Sequence, residues 1–201
     1  MIYKFLFKRV LDIFFASLAL VSIFPFLLFI AYIIKKNNKG PVFFKQKRIG
    51  QHFKPFNIYK FRTMVVNADK MGALITHAQD SRITKVGAFL RRYKLDELPQ
   101  LFNVIKGDMS IVGPRPEVEK YCCLFKNDYK EILLVKPGIT DPATLFYSKE
   151  EEILALEPNK EDAYIKKVLP EKIKMSRGYV KDLSFFYDVK LIFKTLKKIV
   201  V

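Results

Sequence analysis

Two acids, Asp96 and Glu97, stand side by side in the run Lys94-Leu95-Asp96-Glu97-Leu98-Pro99-Gln100-Leu101-Phe102-Asn103. Adjacent carboxylates can hold Mg²⁺, which takes oxygen ligands and shares them with phosphate. Such a cation relieves the repulsion between an acid and a phosphate. A carboxylate placed there can attack phosphorus and form an acyl phosphate. Asp96 has the character of an N-cap, and Pro99 suits the first turn of the helix that follows. Both acids would then sit at the positive end of a helix dipole, where free N–H groups also attract phosphate. A capped helix with one extra acid explains the same residues without any chemistry, so the neighbours have to decide. Arg91, Arg92 and Arg115 could each offer a planar fork to phosphate oxygens. A single arginine is more often a surface ion-pair partner. Arg115 lies in Gly113-Pro114-Arg115-Pro116, where two prolines restrict its backbone. A fixed backbone suits a head group that meets a ligand, and it also suits a rigid loop whose arginine packs on the surface.

These residues need elements to place them. Residues 42–48 and 53–61 read as strands around the turn Ile49-Gly50-Gln51, which predicts a hairpin. Lys45, Lys47, Arg48, Lys54, Lys60 and Arg62 alternate there with aromatic and aliphatic residues. That pattern fits a solvated basic face, a surface lying on anionic lipid, a phosphate-binding wall, or a single-stranded nucleic acid platform. Residues 64–78 are expected to be helical. Ser81 or Thr84 can cap a helix running to about Tyr93, and residues 96–106 form a second helix stopped by Gly107. Residues 117–135, 150–155 and 163–173 are also expected to be helical. Near the end, Phe186, Val189, Ile192, Phe193, Leu196, Ile199 and Val200 share one helical face. A helix packed on a core reads this way, and so does one lying in a lipid interface.

Residues 13–34 carry no charge. As a helix they extend roughly 33 Å, enough to cross a bilayer core. No cleavage site of a signal peptide follows them. Pro25 sits near the middle, where it removes a backbone hydrogen bond and favours a kink or break. Lys4, Lys8 and Arg9 precede the segment, and Lys35, Lys36 and Lys39 follow it. Positive charge at both ends favours keeping both ends on the cytosolic side. Length favours a span, whereas charge and Pro25 favour a re-entrant helix-break-helix, the reading carried forward. The net charge of +16 asks for a polyanionic partner: nucleic acid, an anionic membrane, or phosphorylated substrates. Cys122 and Cys123 are the two cysteines, too few for a disulfide framework and compatible with a reducing compartment. His52 and His77 do not make a metal-ligand motif.

The run from Lys94 to Asn103, followed by Lys106-Gly107-Asp108-Met109-Ser110-Ile111-Val112-Gly113-Pro114-Arg115-Pro116, resembles the signature of the bacterial sugar transferase family. These are the small monotopic phosphoglycosyl transferases that start lipid-linked glycan assembly. Tyr59-Lys60-Phe61-Arg62-Thr63-Met64, Lys136-Pro137-Gly138-Ile139-Thr140 and the closing 182–194 region extend the likeness over nearly the whole chain. Two departures stand out. Phe24 replaces the Ser common before the anchor proline. Asp141-Pro142-Ala143-Thr144 replaces the Gly-Trp-Ala-Gln segment of many relatives, so no residue for recognising the base or sugar is carried over from that stretch.

The resemblance implies an α/β fold, mostly helical with a small β-hairpin or sheet. It implies a re-entrant anchor over residues 1–39 and a cytosolic, membrane-associated catalytic domain over 40–201, with interfacial amphipathic helices. It implies transfer of a phosphosugar from a UDP-sugar to polyprenyl phosphate, typically undecaprenyl phosphate, with release of UMP and with Mg²⁺ as cofactor. By similarity Asp96 is the nucleophile, and Glu97 places the metal or assists proton removal. Lys60, Arg62, Arg92 and Arg115 match basic positions that hold phosphates, and Asp188 matches an acid near the site. The expected location is the cytosolic face of the bacterial inner membrane, with membrane lipid as a partner and no nucleic acid. The product would feed O-antigen, capsule, exopolysaccharide or glycoprotein assembly. The sequence leaves a homo-oligomer open. The rival reading is a non-catalytic basic protein that binds a membrane surface or nucleic acid.

Overall fold

The computed structural model describes residues 3, 7–37, 39–68, 71, 76 and 80–200, the last two of these by backbone alone. In chain order the elements are α1 (Lys8–Asn37), β1 (Phe43–Ile49), β2 (Pro55–Phe61), α2 (Lys85–Arg92), α3 (Gln100–Lys106), β3 (Ser110–Val112), α4 (Glu119–Leu124), α5 (Lys126–Ile132), β4 (Gly138–Thr140), α6 (Pro142–Phe146), α7 (Glu150–Ala155), α8 (Lys160–Ala163), α9 (Leu169–Asp182) and α10 (Phe185–Val200). Helix dominates, as expected. Among the described residues the sheets are two pairs: β1 with β2, antiparallel, and β3 with β4, parallel.

Helix α1 is long and apolar enough to cross a membrane. The expected break at Pro25 is not seen: the proline lies inside one continuous helix, its neighbours keeping helical geometry around the lost hydrogen bond. Both halves of α1 rest on the same body. On the first half, Arg9 donates to the carbonyls of Val104 (2.6 Å) and Ile105 (2.9 Å). Asp12 accepts from the backbone N–H of Ile111 at 3.0 Å. On the second half, Leu27, Ile30 and Ile34 pack with Phe61 of β2 and Leu90 of α2. The opposite side, with Phe14, Leu18, Val21, Phe29 and Tyr32, is exposed. Burying a side chain such as Phe61 contributes roughly 1.5–3 kcal/mol, so these contacts fix α1 against β2 and α2.

The hairpin forms with Phe43 opposite Phe61 and Ile49 opposite Pro55. Thr84 caps α2 by accepting from the N–H of Gly87. Gly107 ends α3 with φ 98°, a left-handed conformation that favours glycine. A Cβ at Gly87 would come within 1.9 Å of the Thr63 carbonyl oxygen. Glycine therefore lets α2 press directly onto the chain that leaves β2.

Several expectations fail for identifiable reasons. Residues 64–67 are not helical: Met64 bridges Ile83, and the N–H of Val65 donates to the Arg82 carbonyl. Pairing with a distant segment overrides local helix preference there, and most of 69–78, His77 included, lies outside the described residues. The helix expected over 117–135 is two, because Phe125 leaves helical geometry (φ −117°, ψ 41°) and packs on the core of α5, α8 and α9. The helix expected from Asp96 starts as a 3₁₀ turn, Leu95–Glu97, and α3 begins only at Gln100. Asp96 is therefore not an N-cap; Lys94 and Pro99 hold those positions, and neither makes a side-chain cap. The helix expected over 163–173 starts earlier and runs on through a π-helical turn, Tyr164–Val168, into α9. Strand β4 and helix α6 were not foreseen. Asp141 caps α6 by accepting from the N–H of Thr144 at 2.7 Å. An Asp followed by Pro is a helix-start signal that the sequence does carry.

Helix α10 buries Asp188 and Leu191 against β3 and α9, with Thr195 of the same face bonded to Thr140 of β4. Phe186, Phe193 and Leu196 point outward at 81%, 68% and 55% exposure. The apolar face read from the sequence is thus split, one part packed inward and one part uncovered.

Candidate active site

The 3₁₀ turn Leu95–Glu97 is clasped between α2 and α3, because Leu95, Leu98 and Leu101 pack with Leu90 and Phe61. This leaves Asp96 and Glu97 nearly buried, 7% and 9% exposed. Lys60 of β2 reaches the Oε1 atom of Glu97 at 2.8 Å. Arg115 grips the same carboxylate with both arms, Nη2 to Oε1 at 2.5 Å and Nη1 to Oε2 at 3.3 Å. Burial alone would raise the Glu97 pKa, but the charges of Arg115 and then Lys60 hold it well below the usual glutamate range. Glu97 is therefore ionised and engaged by two cations.

Asp96 is different. Its Oδ1 atom is buried and has no hydrogen-bond partner among the described residues. Burial pushes its pKa up; Lys60 pulls it down and Glu97 raises it again. A desolvated carboxylate oxygen without a donor has its electrons available, which is what an attacking oxygen requires. Lys60 has its own pKa lowered, by burial first, with Glu97 opposing and Arg115 reinforcing.

The Arg115 loop is set by β3 and β4. The N–H of Gly113 donates to Thr140 and that of Gly138 to Pro114, both at 3.0 Å. A Cβ on Gly138 would lie 2.0 Å from the Gly113 nitrogen, so this crossing requires glycine. The N–H of Arg115 donates to Asp141 at 3.3 Å.

The other expected residues distribute unevenly. Arg91 lies near Asp96 and helps lower its pKa; it also contacts Glu151 and reaches the Thr63 hydroxyl at 3.4 Å. Arg92 is exposed and lies over the Tyr93 ring at 5.6 Å. Arg62 is buried at the end of β2, close to Gly40. Asp188 is buried elsewhere, accepting from Tyr3 (2.6 Å), Lys8 (2.5 Å) and Tyr179 (2.7 Å). The geometry thus unites Lys60, Asp96, Glu97 and Arg115, brings in Arg91, and leaves Arg92 and Asp188 outside the cluster.

With this geometry, residues 3–201 match the family model described as Bacterial sugar transferase. The chain belongs to that family. It is 37% identical over 201 residues to a UDP-N-acetylgalactosamine-undecaprenyl-phosphate N-acetylgalactosaminephosphotransferase of Aeromonas hydrophila, covering 98% of this chain and 44% of that protein. It is 39% identical over 195 residues to a UDP-glucose:undecaprenyl-phosphate glucose-1-phosphate transferase of Klebsiella pneumoniae, covering 96% of this chain and 40% of that protein. It is 37% identical over 194 residues to the Bacillus subtilis (strain 168) protein named uncharacterized sugar transferase EpsL, covering 96% of this chain and 87% of that one. The chain therefore spans less than half the length of the first two relatives and most of the third.

In this sugar transferase the acids can be tested for fit to a divalent cation. Among the described residues no three His, Cys, Asp or Glu side chains converge on one point. Asp96 offers one orphaned, buried oxygen, and Glu97 has both oxygens in ion pairs. That set fits a hard cation held mainly by substrate phosphates and water, with one or two carboxylates from the protein.

Asn103 is the residue that the sequence reading passed over. It is fully buried. Its Oδ1 accepts from the Tyr59 N–H at 2.9 Å and its Nδ2 donates to the Asn57 carbonyl at 2.7 Å. This bracket ties α3 to β2 beside Lys60. A polar residue on the helix between Leu101 and Val104 was the available signal. Asn103→Ala should strand the Tyr59 N–H and Asn57 C=O, costing about 1–3 kcal/mol. Thermal unfolding of the purified variant would check it.

Proposed function

We propose that this chain is a phosphoglycosyl transferase that moves a sugar-1-phosphate from a UDP-sugar to polyprenyl phosphate through an aspartyl intermediate. The single observation that supports this reading most is the buried, undonated Oδ1 of Asp96 beside the Lys60–Glu97–Arg115 cluster. The Asp96 oxygen attacks the phosphorus that bears the sugar. The bond from that phosphorus to the bridging oxygen breaks, and UMP leaves with the electron pair. In the second step an oxygen of the lipid phosphate attacks the same phosphorus. Asp96 departs as a free carboxylate, and the product is a polyprenyl diphosphate sugar. Lys60 and Arg115 supply positive charge to the phosphates, and Glu97 keeps both cations aimed. Asp96 and Glu97 are the residues that would hold Mg²⁺, which would supply charge neutralisation to the donor phosphates.

The membrane reading rests on α1. A 30-residue helix measures about 45 Å end to end. Both of its halves contact one body, so it does not carry that body away from its own far end. Contacts at both ends and Pro25 within support a re-entrant anchor entering from the cytosolic face of the inner membrane. The uncovered Phe186, Phe193 and Leu196 of α10 suit the lipid interface beside it. The resulting lipid-linked sugar would be the first intermediate of a surface glycan.

The relatives' names differ in the donor sugar, so the donor is tested by a panel. With polyprenyl phosphate and Mg²⁺ present, UMP should appear from at least one of UDP-N-acetylgalactosamine, UDP-glucose and related UDP-sugars. Release without acceptor should stop at one UMP per enzyme. No UMP from any donor would sink the reading.

A further inference from the structure

We propose that the groove between the second half of α1 and α2 seats the isoprenoid chain of the lipid phosphate acceptor. This rests on the transfer proposed above and assigns a place within it. The groove offers about 330 Å³, within the range of small-molecule sites. It is open along one side, where Phe26, Phe29 and Phe89 are exposed. One wall is Phe26, Phe29 and Ile33 of α1, and the other is Val86 and Phe89 of α2. Among its lining residues Lys85 is the one charged group.

Three observations choose the occupant. First, Leu95 lines the groove, and the next residue in the chain is Asp96. An apolar chain seated there passes Leu95, so its phosphate end has only one residue to cross to Asp96. Second, the groove is continuous with the lipid-facing side of α1. Phe26, Phe29 and Phe89 are 44%, 59% and 57% exposed, so a chain can enter sideways from the bilayer without crossing water. Third, the charges near the head end are cationic. Lys94 and Arg91 both act on Asp96, and Lys85 stands on the α2 rim, which suits a monoanionic or dianionic phosphate and disfavours a neutral lipid. The α2 wall is firm, because Gly87 seats the helix on the Thr63 backbone with no space for a methyl group. The occupant is thus a long apolar chain that ends in phosphate.

The two half-reactions separate this idea from the proposed function. The donor half-reaction, a burst of UMP without acceptor, does not use the groove. Val86→Trp, which fills it, should keep the wild-type burst. Its KM for undecaprenyl phosphate in mixed micelles should rise on the order of tenfold or more, as a blocked apolar subsite predicts. Turnover with dimethylallyl phosphate, which has a single isoprene unit, should be the same for variant and wild type. If Val86→Trp loses the burst, Ile33→Trp on the facing wall carries the same test. A normal burst with an unchanged KM for undecaprenyl phosphate overturns the groove assignment and makes it a seat for bulk lipid. Absence of a burst in the wild type overturns the proposed function instead.

Discussion

Asp96→Asn should abolish transfer while leaving a better-folded protein. Removing an attacking oxygen from a two-step mechanism lowers turnover by at least about a thousandfold. UMP release should fall accordingly, and donor labelled in the sugar should no longer remain attached to the denatured chain. The stability effect has the opposite sign. Burial raises the Asp96 pKa in the folded state, so the folded protein binds that proton more tightly than the unfolded chain does. Wild-type stability therefore declines as pH rises from the unfolded pKa through the raised folded one, and the full penalty is present above it. Asparagine does not ionise and escapes the penalty. The variant should melt at a higher temperature than wild type at neutral pH, and the gap should close in acid. Retained turnover with retained labelling at another residue would remove Asp96 from the mechanism.

Glu97→Gln should be costly to both fold and activity. The Glu97 side chain is 11% exposed, and those of Lys60 and Arg115 are 20% and 30% exposed. Neutralising the acid leaves two cations facing each other with little water between them. Breaking a buried pair costs about 3–5 kcal/mol, and the partial exposure of Arg115 places the loss near the lower end. Because the folded-state pKa of Glu97 is depressed, its contribution is complete above the unfolded value of about 4.3. It declines as pH falls below that value and is gone once the depressed folded pKa is passed. Denaturant unfolding at neutral pH should show the full difference between variant and wild type, and strongly acidic pH should erase it. Equal stability at neutral pH would mean that the clamp is not ionic. Activity should fall with the clamp, because Lys60 and Arg115 lose the group that aims them.

The clustering was legible where residue type and rigid local sequence coincide. Asp96 and Glu97 adjoin, and Arg115 is pinned between prolines. The three meet in space as their types suggested. Thr84 and Gly107 announced the ends of α2 and α3 by capping chemistry that is local and therefore visible. Long-range pairing was not visible. Met64 is drawn into a bridge with Ile83, and β3 finds β4 across the whole of α4 and α5. Three-residue strands such as Gly138–Thr140 are too short to show a period. Arg91 and Arg92 could not be ranked either. Only the rotation of α2 decides that the first turns toward Asp96 and the second toward Tyr93.

Asp188 joins residues 180 and 185 positions away, Lys8 and Tyr3. Helix α1 is therefore fastened by α10. That clasp can form only after Asp188 is made, 180 residues after Lys8. Helix α1 is therefore complete long before this partner exists. Contacts this distant along a polymer are slow to find, and a chain cut short before α10 would lose this clasp while keeping the Arg9, Asp12 and Phe61 contacts of α1.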